Sequence, residues 1–366
     1  MSSETTEAWV LYSAAGRPGP GELIREEFTI SELSSTEVLA KPLFGCVEGN
    51  MLHALQRDPV DICEQRKEER VVLGNSGVVE VKAVGDKVTG LQPGDVCLVF
   101  GNAEWDDQGY PIRILGFDAP GTMGVLARTM KLPAKCLIPI PKGSRYSLQQ
   151  WAAFSLRYIS AWANWRVALA CWQSQMTDVP PEQTTVCAWG GGVSYAQLTL
   201  ARKQGYQAIM IASQPQRLAA LQAAGLQTID RSRFNEVDFE QEFLNSIAEK
   251  TEGKGVSIFI DNIGKPVHAL TLKALARQGV LATCGWKGGM RVPLARAIEC
   301  LSRHIHVHTH YARYAEGLDA VAFAEEHDWM APPVDRVWSW DEIPQLFNDY
   351  AAGRVATYFP VFSINE

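Results

Sequence analysis

The feature that most constrains this chain is the apolar run Val186-Cys187-Ala188-Trp189, which breaks at Gly190-Gly191-Gly192 and continues with helical spacing through Val193-Ser194-Tyr195-Ala196. A strand turning on glycines into a helix opens a βαβ unit, and helical and extended periods then alternate. Strand Ala208 to Ala212, a helix around Gln216 to Ala224, strand Val256 to Ile260, helix Val267 to Arg277 and strand Gly279 to Cys284 follow. That alternation predicts a doubly wound parallel sheet, the α/β Rossmann plan.

Before about residue 145 the period is different. Ala8 to Tyr12 reads as a strand and Gly16 to Gly21 as a turn cluster. Gly74 to Phe100 alternates around Val79 and Val81, turns at Gly85-Asp86 and Pro93-Gly94-Asp95, and resumes as strand Val96 to Phe100. Short strands between tight turns predict antiparallel, barrel-type β architecture. Leu148 to Trp172 has helical spacing, with Trp151, Tyr158, Trp162, Trp165 and Trp172 expected in core or interface. After residue 310 come a helical stretch, Val334 to Trp340, Asp341 to Gly353 and a strand near Tyr358 to Phe362. A length of 366 residues suits two such domains.

Composition excludes several classes. The formal charge of −7 without a Lys/Arg cluster argues against nucleic acid. No apolar run is long enough to span a bilayer, and Met1 to Glu7 lacks the marks of a signal peptide. Eight scattered cysteines with no CxxC are expected as reduced thiols, and the cytoplasm is the expected address.

A glycine turn lets a pyrophosphate approach backbone N–H groups at the positive end of a helix. Laid on GxGxxG, the three glycine places fall on Trp189, Gly191 and Ser194, so the first is a departure. A tight turn that binds nothing is the alternative. The next strand ends at Ala212-Ser213 and continues Gln214-Pro215-Gln216-Arg217, without the carboxylate that would hold a ribose 2′-hydroxyl. Ser213 and Arg217 suit a 2′-phosphate, which favours NADPH, unless Arg217 is a solvated helix residue.

Gly77-Val78-Val79 through Val84-Gly85, Val88, Pro93-Gly94-Asp95-Val96, Gly121-Thr122, Ser160-Ala161-Trp162, Gly191-Gly192-Val193, Asp261-Asn262-Ile263-Gly264, Gly279 and Gly285 come in an order and spacing that resembles the medium-chain dehydrogenase/reductase superfamily. The resemblance implies a GroES-like β-barrel catalytic domain from both chain ends (1–155 and 311–366) and a Rossmann domain between them (156–310). It also implies homodimers or tetramers, with the homodimer expected here, and hydride transfer in the cleft between the domains. Cofactor contacts are implied at Ser160, Gly190, Gly191, Gly192, Val193, Ser194, Ser213, Arg217, Gly285, Trp286, His306 and Val307. Zinc-dependent members carry an early cysteine, Gly-His-Glu and a third ligand. Here Cys46 is near the first place, the second reads Gly74-Asn75-Ser76 and the third falls near Leu156, so no catalytic zinc is expected.

Glu48, Asn50 and His53 lie in the segment that lines the nicotinamide cleft in the superfamily, and with Asn75 they are the candidate catalytic groups. Glu48 is a candidate acid or base, with an exposed loop residue as the alternative. His304, His306, His308 and His310 fall on one side of a strand by the two-residue period, as a metal comb or as a proton donor at His308 or His310. His310-Tyr311-Ala312-Arg313-Tyr314 is similar to the enoyl-thioester reductase branch. The expected activity is therefore zinc-independent, NADPH-dependent reduction of an enoyl thioester, enone or imine, with a small-molecule or acyl-thioester substrate. An alcohol or aldehyde dehydrogenase and a non-catalytic nucleotide-binding relative remain the alternatives.

Overall fold

The computed structural model describes residues 4–16, 19–285, 288, 293, 298 and 301–365. The chain divides into two compact units. The first holds Met1–Ile159, Arg313–Val355 and Phe359–Glu366, and the second Ser160–Ala312 with Ala356–Tyr358. The cuts thus fall at 159/160 and 312/313, against the 155/156 and 310/311 expected. Three residues near the C-terminus, given wholly to the first domain by sequence, belong to the second.

In the first unit, Glu4–Tyr12 pairs antiparallel with Leu23–Ile30 and with Arg70–Val72. A second sheet runs in the order Leu137–Pro139, Val96–Val99, Gly77–Val84, Glu37–Cys46, Val361–Ser363, Val337–Trp338, with Met130–Pro133 also on Glu37–Cys46. Among the described residues this path stays open at its ends. Val10, Val38, Val79, Val81, Leu132 and Phe362 are inward-facing residues of these strands in one core. Gly77 is required by contact, since a Cβ there would stand 2.3 Å from the Phe44 carbonyl oxygen of the paired strand. The terminal strand starts at Val361, three residues later than its expected start at Tyr358.

The single helical stretch expected from Leu148 to Trp172 is two helices, Leu148–Phe154 and Arg157–Gln173. The break is tied to one side chain. Ser155 Oγ donates to the Ala152 carbonyl at 3.2 Å and accepts the Gly77 N–H at 2.9 Å, so this side chain ties the helix end to a strand. Trp151, Tyr158, Trp165 and Trp172 are buried, as a core role requires.

The second unit is a six-stranded parallel sheet. Its order is Gln227–Asp230, Gln207–Ala212, Thr185–Trp189, Val256–Ile260, Leu275–Thr283, His306–Thr309. Numbered along the chain this is 3-2-1-4-5-6, the dinucleotide-fold order, with its switch point between the first and fourth strands. The helix expected through Arg277 spans His268–Ala274, because Leu275 already has extended backbone and opens the fifth strand. His304 has a left-handed φ of 55°, so the four histidines do not share one strand. His306 and His308 lie in strand His306–Thr309, and His310 follows it, buried.

Candidate functional site

The second unit carries the nucleotide-binding candidates. Strand Thr185–Trp189 is buried throughout and delivers the chain to Gly190 at the switch point. Helix Gly192–Lys203 then starts at Gly191 with no side-chain cap, so its first N–H groups have no side-chain acceptor from the N-cap. A Cβ on Gly190 would lie 3.2 Å from the Ile211 carbonyl oxygen, which is why a bare backbone suits this turn. Ser194 is buried in the first helical turn, and Asn262 Nδ2 lies 3.5 Å from its Oγ. Asn262 Oδ1 also accepts the Cys284 N–H at 2.9 Å, which joins the end of the fifth strand to the glycine turn. Gly192 and Val193 are half-buried at the helix start, and Gly285 follows Cys284.

Trp189, the departure at the first glycine place, is accommodated because its ring lies in the core. Its indole N–H donates to Thr271 Oγ1 at 2.7 Å, and its ring stacks on Phe243 with centroids 5.1 Å apart. Thr271 Oγ1 donates in turn to the buried Asp261 carboxylate at 3.1 Å. The bulk that would obstruct a phosphate is packed among helices instead.

Ser213 and Arg217 stand where expected, just past the second strand. Arg217 Nε donates to the Ala356 carbonyl oxygen at 2.9 Å, and its guanidinium lies 5.0 Å from the centre of the Tyr358 ring. Arg217 is therefore not a loose solvated side chain. The contacts come from the three-residue return of the chain, which nothing in the local pattern marks. The residues present fit a dinucleotide with a 2′-phosphate: an uncapped helix start, a glycine turn, a hydroxyl and a positioned guanidinium. Ser160 is half-buried on helix Arg157–Gln173, and Val307 is exposed. His306 Nε2 is 2.6 Å from Gln175 Nε2. Trp286 lies outside the described residues.

The catalytic candidates lie in the first unit. Glu48 is not an exposed loop residue: it is 4% exposed and precedes helix Gly49–Gln56. Its Oε2 accepts from Arg157 Nε at 3.0 Å and its Oε1 from Ser76 Oγ at 3.1 Å. Ser76 Oγ is 2.9 Å from Ser155 Oγ, which extends the cluster to the helix break. Burial pushes the Glu48 carboxyl up, while Arg157 and Ser76 pull against it. Burial works against the charge on Arg157, but Cys46 and Glu48 outweigh it and raise the guanidinium further. Asn50 and His53, three apart, share a helix face and are half-buried. Asn75 is buried, and the amide oxygens of Asn50 and Asn75 have no hydrogen-bond partner among the described residues.

Arg157 is the residue that sequence reasoning missed, although it adjoins the third zinc place at Leu156. Its Nη1 sits 3.4 Å from Cys46 Sγ. Burial pushes that thiol up to about 12, with Arg157 pulling it down and Glu48 pushing it further up. A catalytic zinc takes three protein donors, and a cysteine among them binds as thiolate. The residues here are one thiol, an amide at Asn75 and a guanidinium already beside the sulfur. This donor set does not fit zinc.

The zinc-binding dehydrogenase family matches residues 192–324. Quinone oxidoreductase-like protein 2 homolog of Nematostella vectensis is 28% identical over 62% of this chain and 53% of its own length. A phenolphthiocerol/phthiocerol polyketide synthase component of Mycobacterium tuberculosis is 26% identical over 59% of this chain and 8% of its own. The chain thus spans about half of the first relative and a small part of the second. Among solved structures, a 2-octenoyl-CoA carboxylase reductase in complex with NADP and 2-octenoyl-CoA superposes with a TM-score of 0.82 at 18% identity, covering 99% of this chain and 88% of that one. A thermostable alcohol dehydrogenase from Pyrobaculum aerophilum gives 0.74 at 17% identity, covering 98% and 100%. Sequence relatives and fold neighbours point the same way: residues 192–324 match the zinc-binding dehydrogenase family, and the chain shares the fold of the carboxylase reductase and of the alcohol dehydrogenase.

Proposed function

We propose that this chain is an NADP(H)-dependent oxidoreductase that reduces a polarised double bond (an enoyl thioester, enone or imine) without a catalytic zinc. The observation that carries the cofactor choice is the guanidinium of Arg217, held by the Ala356 carbonyl and the Tyr358 ring next to Ser213, with no acidic residue at that strand end. A guanidinium fixed before binding loses little freedom on meeting a phosphate. The choice of substrate class draws support from fold neighbours solved with NADP, one of them holding 2-octenoyl-CoA.

Bound NADPH would supply a hydride. The protein's own part is to bind, orient and stabilise charge. Asn75 and Asn50, whose amide oxygens are buried and unbonded among the described residues, can turn an amide N–H toward a substrate oxygen as negative charge develops there. His53 shares the helix face of Asn50 and is the nearby group able to carry a proton. Glu48, engaged at both carboxylate oxygens, serves the fold in this reading. A homodimeric assembly belongs to the same proposal.

The test is NADPH oxidation against a panel of enoyl thioesters, enones and imines, with saturated alcohols plus NADP⁺ run in parallel. Turnover of the alcohols alone would move the assignment to an alcohol dehydrogenase. Failure to bind any dinucleotide at millimolar concentration would make the chain a non-catalytic relative. Metal analysis completes the test, since stoichiometric zinc whose removal abolishes activity would overturn the zinc-free mechanism.

A further inference from the structure

We infer that Tyr358 is a dinucleotide-positioning residue: its hydroxyl donates to the diphosphate at the Gly190 turn, while its ring and the Ala356 carbonyl hold Arg217 for the 2′-phosphate. This rests on the NADP(H) reading and adds to it a residue from outside the contiguous Rossmann segment.

Three observations carry the assignment. Ala356–Tyr358 is part of the second unit, so this stretch of the C-terminal segment is built into the nucleotide fold. Tyr358 Oη lies 3.9 Å from the point where a Cβ on Gly190 would stand, at the turn that leaves the first strand. In a 3-2-1-4-5-6 sheet, that is where backbone meets the diphosphate. The same ring lies 5.0 Å from the Arg217 guanidinium and 5.7 Å from the ring of Tyr195, in the first turn of the phosphate-facing helix. One side chain therefore lies beside the glycine turn, the helix start and the cation past the second strand.

The chemistry suits a neutral donor. Burial pushes the Tyr358 phenol up to about 12, with Arg217 pulling it down and Tyr195 pushing it up. The hydroxyl keeps its proton at neutral pH and can give it to a phosphate oxygen as a charge-assisted hydrogen bond. The ring separately orders a planar guanidinium by cation–π contact. These two roles make different predictions, because the diphosphate is common to NADH and NADPH while the 2′-phosphate is not.

The experiment measures equilibrium binding of NADPH, NADH and adenosine 2′,5′-bisphosphate to the full chain and to Tyr358→Phe, Tyr358→Ala and Arg217→Ala. Tyr358→Phe keeps the ring and should weaken NADPH and NADH alike, by roughly tenfold for one hydrogen bond to a charged group. It should weaken adenosine 2′,5′-bisphosphate, whose 5′-phosphate is half of the diphosphate, by no more than it weakens the dinucleotides. Arg217→Ala should weaken NADPH and adenosine 2′,5′-bisphosphate and spare NADH. Tyr358→Ala should show both losses. Thermal melts of each variant identify any loss that is only unfolding, and the conservative phenylalanine variant decides the hydroxyl's role. If the wild type binds NADPH and Tyr358→Phe binds both dinucleotides within twofold of it, the inference fails and the NADP(H) reading stands. If the wild type binds neither dinucleotide, the NADP(H) reading itself has failed.

Discussion

The polar groups around Cys46 and those around Gly190 are used in opposite ways. Near Cys46, Glu48, Ser76, Ser155 and Arg157 bond to one another, and the guanidinium fills the neighbourhood of the thiol. At Gly190 the backbone is bare, the helix start has no side-chain cap, and the polar side chains Ser194, Asn262 and Tyr358 surround the turn. A buried charge must be matched inside the protein, so the first cluster is closed on itself. Groups meant to meet a ligand must be held in place by others, and so the second set leans on core contacts such as Trp189 with Thr271. Conspicuous polar chemistry is therefore a poor guide to the site of binding. Glu48, a candidate acid or base by sequence, is engaged at both carboxylate oxygens.

The comparison can be broken at its strongest point first. Arg157→Met would leave Glu48 buried without its cation, and the expected loss in a denaturant titration is about 3–5 kcal/mol of stability. A loss below about 1 kcal/mol would mean that the cluster does not hold the fold together. Gly190→Val places side-chain atoms against the Ile211 carbonyl and the Tyr358 hydroxyl, and should cut NADPH affinity by more than tenfold, about 1.4 kcal/mol or more. A melting curve of the variant separates lost affinity from lost folding, and unchanged affinity would show that the turn is not the dinucleotide site. A further test concerns pH. Cys46, Cys97 and Cys136 are pushed by burial from about 9 up to about 12. The unfolded chain then loses thiol protons that the folded chain keeps, so stability should be complete below about pH 9 and decline as pH rises toward 12. Substituting Cys46→Ala should flatten part of that decline in alkaline unfolding curves, and a curve unchanged by it would show that this thiol is not shifted in the fold.

How much of this was legible beforehand follows from the range of each interaction. The parallel α/β sheet came through because period and glycine punctuation are local, and the candidates Gly190, Gly191, Ser194, Ser213 and Arg217 were chosen by their distance from strand ends. Helix Arg157–Gln173 was visible, but its separation from Leu148–Phe154 was not, because the break depends on Gly77 bonding to Ser155 across the chain. The Glu48–Arg157 pair joins residues 109 positions apart. No local pattern announces such a partner, and an isolated Glu looks the same whether buried or solvated. The fit of Trp189 was hidden for the same reason, since Phe243 and Thr271 are distant in sequence. The left-handed backbone at His304 likewise ended a histidine pattern that period alone would have extended.

The brief excursion of residues 356–358 has a practical corollary. The backbone leaves one body after Val355 and is back in it by Phe359, so its last dozen residues are shared property. Trimming the tail at Val355 would strip an interior strand from one half and the support of Arg217 from the other, and a clone of 160–312 alone would lack that support from the outset. Neither half of this protein can be cut out with a single pair of scissors.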